Sequence, residues 1–167
     1  FPIIIPDYVN INGDNQESTI LDANQTSNIF LMNGITSNYL SNLSLINGYQ
    51  QYGGAMHINS TDSTILSNIS ITNSEAGYGG GIYCNSSNVI ITNSTINNNI
   101  SPGLGGGIYV LNSNIIIDDS DIINNSAEGR GGGLLSEENH LQLINSEIIG
   151  NFSGIDGGGG MYINETY

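Results

Sequence analysis

Lysine is absent from this 167-residue chain and Arg130 is its only arginine, against 15 acidic residues, which leaves a formal net charge of −14. A basic footprint for nucleic acid is therefore missing, and an anionic bilayer surface repels the chain for the same reason. No uninterrupted apolar run approaches the roughly 20 residues of a membrane-spanning helix. A single cysteine, Cys84, excludes an internal disulfide and a cysteine-rich zinc site. Phe1 stands where an initiator methionine would be and no signal peptide is visible, so the chain reads as mature or fragmentary. What remains is a hydrophobic share of 38%, enough for a core, set among Asn, Ser, Thr and Gly.

Those residues repeat. The blocks Gly53–His57, Gly79–Tyr83, Gly105–Tyr109 and Gly131–Leu135 begin at a constant step of 26, and Gly157–Tyr162 keeps the step with one glycine inserted. A second marker runs in phase: Asn47, Asn73, Asn99, Asn125 and Asn151, again 26 apart. Within each repeat, short β-rich apolar runs such as Val89–Ile91, Ile115–Ile117 and Leu141–Leu143 are punctuated by glycine triplets and Asn-Ser clusters, which break helices. Alternation assigns faces. Met56, Ile82, Ile108, Leu134 and Met161 form one inward column, and Ile58, Cys84, Val110, Ser136 and Ile163 a second. His57, Tyr83, Tyr109, Leu135 and Tyr162 lie between them and point outward.

A repeat of this length made only of strands and turns predicts one coil of a parallel β-helix. Stacking coils buries a face that one coil alone leaves open. An inward file of asparagines satisfies itself, each amide donating to the next along the stack. The expected fold is thus all-β, a parallel β-helix solenoid of 26-residue coils. Residues 1–40 form an irregular cap, residues 41–167 the repeats, and Phe1–Ile5 a possible strand donated to a neighbour.

The string NVIITNSTINNNISPGLGGGIYVLNSN, Asn88 to Asn114, resembles the repeat of chlamydial polymorphic outer-membrane proteins and related right-handed β-helix surface proteins. That family pairs a GGA(I/L/V) block with an FxxN block. The first is matched by Gly53–Met56, Gly79–Ile82, Gly105–Ile108 and Gly131–Leu134. The second appears with Ile for Phe at Ile96–Asn99, Ile122–Asn125 and Ile148–Asn151, and departs further at Ser44–Asn47 and Ser70–Asn73. The resemblance implies a right-handed coil and an extracellular, adhesin-like or structural protein. The implied location is secreted or cell-surface.

Sequons for N-glycosylation occur at Asn24, Asn42, Asn59, Asn68, Asn85, Asn93, Asn124 and Asn164, which read as the set available for modification, and at Asn99 and Asn151, which belong to the buried file. Cys84 in an inward column reads as a small buried hydrophobe. The His57, Tyr83, Tyr109, Tyr162 stripe is a candidate surface for sugar rings or a partner. Asp118, Asp119, Asp121, Glu128, Glu137, Glu138 and Asp156 supply oxygen but no calcium-loop spacing, so no metal or other cofactor is expected. Catalysis is not expected either. A polysaccharide lyase needs cationic side chains and only Arg130 exists, while a hydrolase needs paired carboxylates across a cleft. Carbohydrate binding or processing is the alternative reading. An ice-binding face is disfavoured because the outward file Leu66, Thr92, Asp118, Ile144 lacks threonine regularity. The open C-terminal coil suggests end-to-end self-association, with glycans or a cell-surface molecule as further partners.

Overall fold

The computed structural model describes residues 1–138, 140–154 and 157–164, and every strand in it pairs in parallel. Three sheets run the length of the stack. The first holds Ile3–Ile4, Phe30–Asn33, Met56–Asn59, Ile82–Asn85, Ile108–Leu111, Leu134–Glu137 and Met161–Asn164. The second begins with Asn10–Asn12 and Ile20–Asp22, both paired to the long strand Asn38–Ile46, followed by Thr64–Thr72. From there each coil contributes two pieces, for example Asn88–Thr92 and Thr95–Asn97. The third is narrow: Tyr49–Tyr52, Glu75–Tyr78, Ile100–Ser101, Ser126–Ala127 and Phe152–Ser153.

Successive coils stand 26 residues apart, as Ile82 opposite Ile108 and Ile108 opposite Leu134 illustrate. The solenoid expected from the periodicity is therefore the fold. Its regular register starts at Phe30, which pairs with Met56, and residues before it form an irregular first rung. Phe1–Ile5 is not free to be donated. Ile3 and Ile4 pair with Phe30 and Leu31 of the same chain, and Ile5 is buried in the core. Phe1, Ile3 and Ile4 stay exposed, so the segment is held by its backbone pairing and by the burial of Ile5.

The inward side chains explain the coil length. In one coil they are Ile82, Cys84, Ser87, Val89, Ile91, Ser94, Ile96, Asn99 and Ser101, all buried. Most steps are two residues, as strand alternation requires. Three steps are three residues long, and each contains a corner residue in the left-handed region: Ser86, Asn93 and Asn98. A left-handed residue turns the chain and resets the alternation by one. Asparagine tolerates that conformation better than most residues. The same corners recur in the next coil at Asn112, Asp119 and Asn124. The fourth corner is glycine: Gly53, Gly79, Gly105 and Gly131, with φ from +60° to +66°.

After each third-sheet strand the chain doubles back through the glycine block. A Cβ on Gly106 would lie 2.3 Å from the Gly132 carbonyl oxygen and 2.4 Å from that of Ser126. Only hydrogen fits where the returning backbone lies this close to the strand and to the next coil.

In the two coils from Ser86 to Asn124 the residue after each non-glycine corner is an inward serine or asparagine, which builds three buried polar files, whereas the earlier corners Asn42 and Asn68 are followed by inward Leu43 and Ile69. In one, the backbone N–H of Thr61 donates to Ser87 Oγ and that of Ser87 to Ser113 Oγ, both at 3.0 Å. In a second, Ile69, Ser94 and Ser120 donate to Ser94, Ser120 and Ser146 Oγ in turn. The serine hydroxyls pass their own protons to the carbonyl two residues back, as Ser87 does to Asn85 at 2.7 Å. The corner amides, which the strand ladder cannot reach, thereby find partners, as buried polar groups require. These serine files were not anticipated. Their signal is the Asn-Ser and Asp-Ser pairs at Asn93, Asp119 and Asn145, and at Asn112.

Candidate functional site

The third file is the asparagine ladder. Asn99 and Asn125 are completely buried. Asn125 Nδ2 donates to Asn151 Oδ1 at 3.0 Å and to the Ile96 carbonyl at 2.8 Å, while its Oδ1 accepts from both the backbone N–H and Nδ2 of Asn99. Asn47 and Asn73 do not belong to this file. They are left-handed corner residues, aligned with Asn98 and Asn124, and Ser74 takes the inward place opposite Asn99. The register is the reason: Ser70 pairs with Thr95 and Thr72 with Asn97, a step of 25. Two residues, Asp62 and Ser63, separate inward Thr61 from inward Thr64, whereas Asn88 alone separates Ser87 from Val89. The lost residue returns at Pro102–Leu104, which replaces the shorter Gly77–Tyr78 of the coil before. The same slip means that Ser67, not Leu66, stands in file with Thr92, Asp118 and Ile144, and Leu66 is a core residue.

The aromatic stripe also lies differently from expectation. Tyr83 and Tyr109 do point away from the main core, but they are only 8% and 7% exposed, and Leu135 is fully buried beside them. A second apolar cluster covers them, with Tyr78, Leu104, Leu111 and Tyr162 at its edge. The cover comes from the chain that doubles back before each glycine block. Tyr52 stacks on Tyr78 with centroids 5.4 Å apart and sits 5.0 Å from Tyr83. His57 meets Tyr83 edge-on at 5.3 Å, and the Arg130 guanidinium lies 5.0 Å from the Tyr162 ring centroid. Tyr83 and Tyr109 are thus packing residues and not a free contact stripe.

Burial sets the protonation states here. It lowers the pKa of His57 and raises that of Tyr83. Tyr109 is raised by burial and then by Glu137, whose carboxylate accepts its hydroxyl proton. The buried Cys84 thiol is pushed up to about 11, which leaves it protonated and inert at neutral pH.

The sequon asparagines fall into two groups. Asn59 and Asn85 continue a surface amide ladder from Asn33, with Nδ2 to Oδ1 distances of 2.7 and 2.8 Å. Asn42 and Asn68 do the same above Asn12. Asn24, Asn93, Asn124 and Asn164 are exposed, although Thr166 of the last sequon lies outside the described residues, as does Asp156 of the acidic set. Among the described residues, no group of three or more His, Cys, Asp or Glu side chains is placed to hold a metal ion.

With Tyr83 and Tyr109 covered, a concave surface among the described residues lies on the outside of the third sheet. A cleft of about 250 Å³ is lined by Tyr49, Gln50, Gln51, Glu75, Gly77 and Pro102. It sits at the step where the short returns of two coils, Gln51–Tyr52 and Gly77–Tyr78, meet the longer Pro102–Leu104 return. Glu75 stands in register with Tyr49. Sequence reasoning missed this site, because the step exists only through the register slip.

Residues 93–111 match the Chlamydia polymorphic membrane protein (Chlamydia_PMP) repeat. No characterised protein and no solved structure matches the chain. The matched stretch runs from the Asn93 corner through the Asn99 ladder position and the glycine block to the strand Ile108–Leu111. Repeat and solenoid together fit a β-helix module of a surface protein.

Proposed function

We propose that the chain is an extracellular adhesive or structural module that acts by contact and not by catalysis, needs no cofactor, carries N-glycans and associates end to end. The observation that carries this reading is the uninterrupted parallel ladder bearing a repeat of surface-protein type. Such a stack is a rigid rod whose sides are free for partners. Its surface chemistry agrees: uncharged Asn, Ser and Thr dominate, and the net charge of −14 opposes adsorption to anionic membranes.

Glycans belong first on Asn24, Asn93 and Asn124, which are exposed and clear of the amide ladders. The rung ending at Met161–Asn164 exposes Leu143, Ile144, Ile149 and Ile163, and Phe152 is 64% exposed. A further rung, from this chain's own continuation or from a second copy, would cover these side chains and pair their backbone.

The adhesive role is tested by binding of the fluorescent full chain to intact host or sibling cells, with saturable attachment expected and its absence overturning the reading. Intact mass of the native protein before and after glycosidase treatment tests the glycans; a mass that the treatment leaves unchanged and equal to that of the bare polypeptide refutes them. Negative-stain images of native material test association, and discrete monomers contradict it. Turnover on a panel of polysaccharides would replace the contact role with an enzymatic one.

A further inference from the structure

We propose that the cleft at the coil step, lined by Tyr49, Gln51, Glu75 and Pro102, binds a neutral saccharide. The proposal rests on the adhesive reading and assigns it a site. Each part of the lining has a role in sugar recognition. Tyr49 is 51% exposed, so its ring offers an apolar face for the C–H side of a pyranose. Gln50 and Gln51 bring amides that both donate and accept, and Glu75 brings two acceptor oxygens for sugar hydroxyls. Gly77 lets the Gln51 amide lie directly over the backbone of the floor, where a Cβ would meet Nε2 at 2.6 Å and displace it. Pro102 walls one side with a residue of fixed φ. At about 250 Å³ the cleft falls just below the roughly 300–1,000 Å³ of drug-sized sites, a scale that suits one or two sugar rings.

Charge selects the class of saccharide. No cationic side chain lines the cleft, the one arginine lies over Tyr162, and Glu75 is an acid. A sialylated, sulfated or uronic-acid sugar would bring its anion against that carboxylate and against a chain of net charge −14, with no basic partner. A neutral hexose or N-acetylhexosamine meets no such penalty and finds donors and acceptors throughout.

The test is the full chain on an array of neutral oligosaccharides and their sialylated and uronic-acid counterparts, followed by titration of the strongest neutral trisaccharide. Binding is expected for neutral sugars only. Tyr49→Ala and Glu75→Ala each weaken it about tenfold, as removal of a central contact does, with an unchanged thermal midpoint. Tyr8→Ala, an exposed tyrosine outside the cleft, leaves it intact. Absence of neutral-sugar binding, equal binding of acidic sugars, or indifference to Tyr49→Ala and Glu75→Ala each overturns the assignment. Cell attachment separates the two readings. Wild type and Tyr49→Ala adhering equally removes the cleft and keeps the adhesive role. Sugar binding by a chain that adheres to no cell removes the adhesive role and keeps the cleft.

Discussion

Asn125→Ala should be among the most damaging single substitutions in the chain, and Asn73→Ala a mild one, although the two residues occupy the same phase of the 26-residue repeat. Asn125 is fully buried and uses its whole amide: Nδ2 donates to Ile96 and Asn151, and Oδ1 accepts twice from Asn99. Truncation does not harm every partner. Asn99 Nδ2 still reaches the Ile71 carbonyl at 3.1 Å, and Asn151 Oδ1 still accepts from the Asn125 backbone at 2.8 Å. One buried backbone group is stranded, the Asn99 N–H, since the Ile96 carbonyl keeps its place in the ladder. At about 1–3 kcal/mol for that group and about 0.5–1.5 kcal/mol for each of the two lost Nδ2 bonds, the loss is about 2–6 kcal/mol. Asn73 is exposed with φ of 55°, so alanine there meets only the left-handed penalty, about 1–2 kcal/mol. Urea unfolding of the two variants checks this. With a slope of about 2–3 kcal/mol per molar, Asn125→Ala should lower the midpoint by more than about 1 M. Equal midpoints would refute the assignment of Asn73 to a corner and Asn125 to the ladder.

Gly106→Ala should prevent folding or lower the thermal midpoint steeply, because its Cβ meets two backbone oxygens within 2.4 Å. Gly34→Ala, with φ of +65° and nothing within 4 Å of the added carbon, should cost only about 1–2 kcal/mol. Stability should fall at both ends of the pH range. The His57 pKa is depressed in the folded state, so its contribution is present above the unfolded value near 6.5 and lost as pH drops below it. The Tyr109 and Tyr83 pKa values are raised, so theirs is present below about 10 and lost as pH climbs past it. His57→Gln should flatten the acid limb alone, as read by thermal melts across pH. Cys84 should resist thiol reagents at pH 8 in the native chain and react at once in urea, since burial holds the thiol near 11; rapid native labelling would contradict that burial.

Much of the architecture was legible because the repeat is strict where the backbone is most constrained. The glycine blocks keep their spacing because Gly80, Gly106 and Gly132 each face a carbonyl oxygen of the next coil. The inward columns through Ile82 and Cys84 read correctly by simple alternation as far as Leu134 and Ser136, whereas Ile163 on the last rung is exposed. The ladder was half legible. Asn98 and Asn99 are adjacent, and a count from Asn73 lands on Asn99, while the backbone aligns Asn73 with Asn98. Only the extra residue at Asp62–Ser63 records the slip. The fate of Tyr83 and Tyr109 was hidden for a different reason. The side chains that bury them, Tyr78 and Leu104, stand on the chain that returns over the stripe, and that return is set by glycine conformations which alternation does not encode.

The register of one coil on the next is the claim on which the fold, the ladder and the cleft all depend. Nuclear Overhauser contacts between amide and α-protons of neighbouring coils measure it directly, since stacked strands stand about 4.7–4.9 Å apart. The structure requires contacts pairing Ile82 with Ile108 and Ile71 with Ile96, and a contact from Ser74 to Asn99. Contacts placing Asn73 opposite Asn99, or none between segments 26 residues apart, would contradict it.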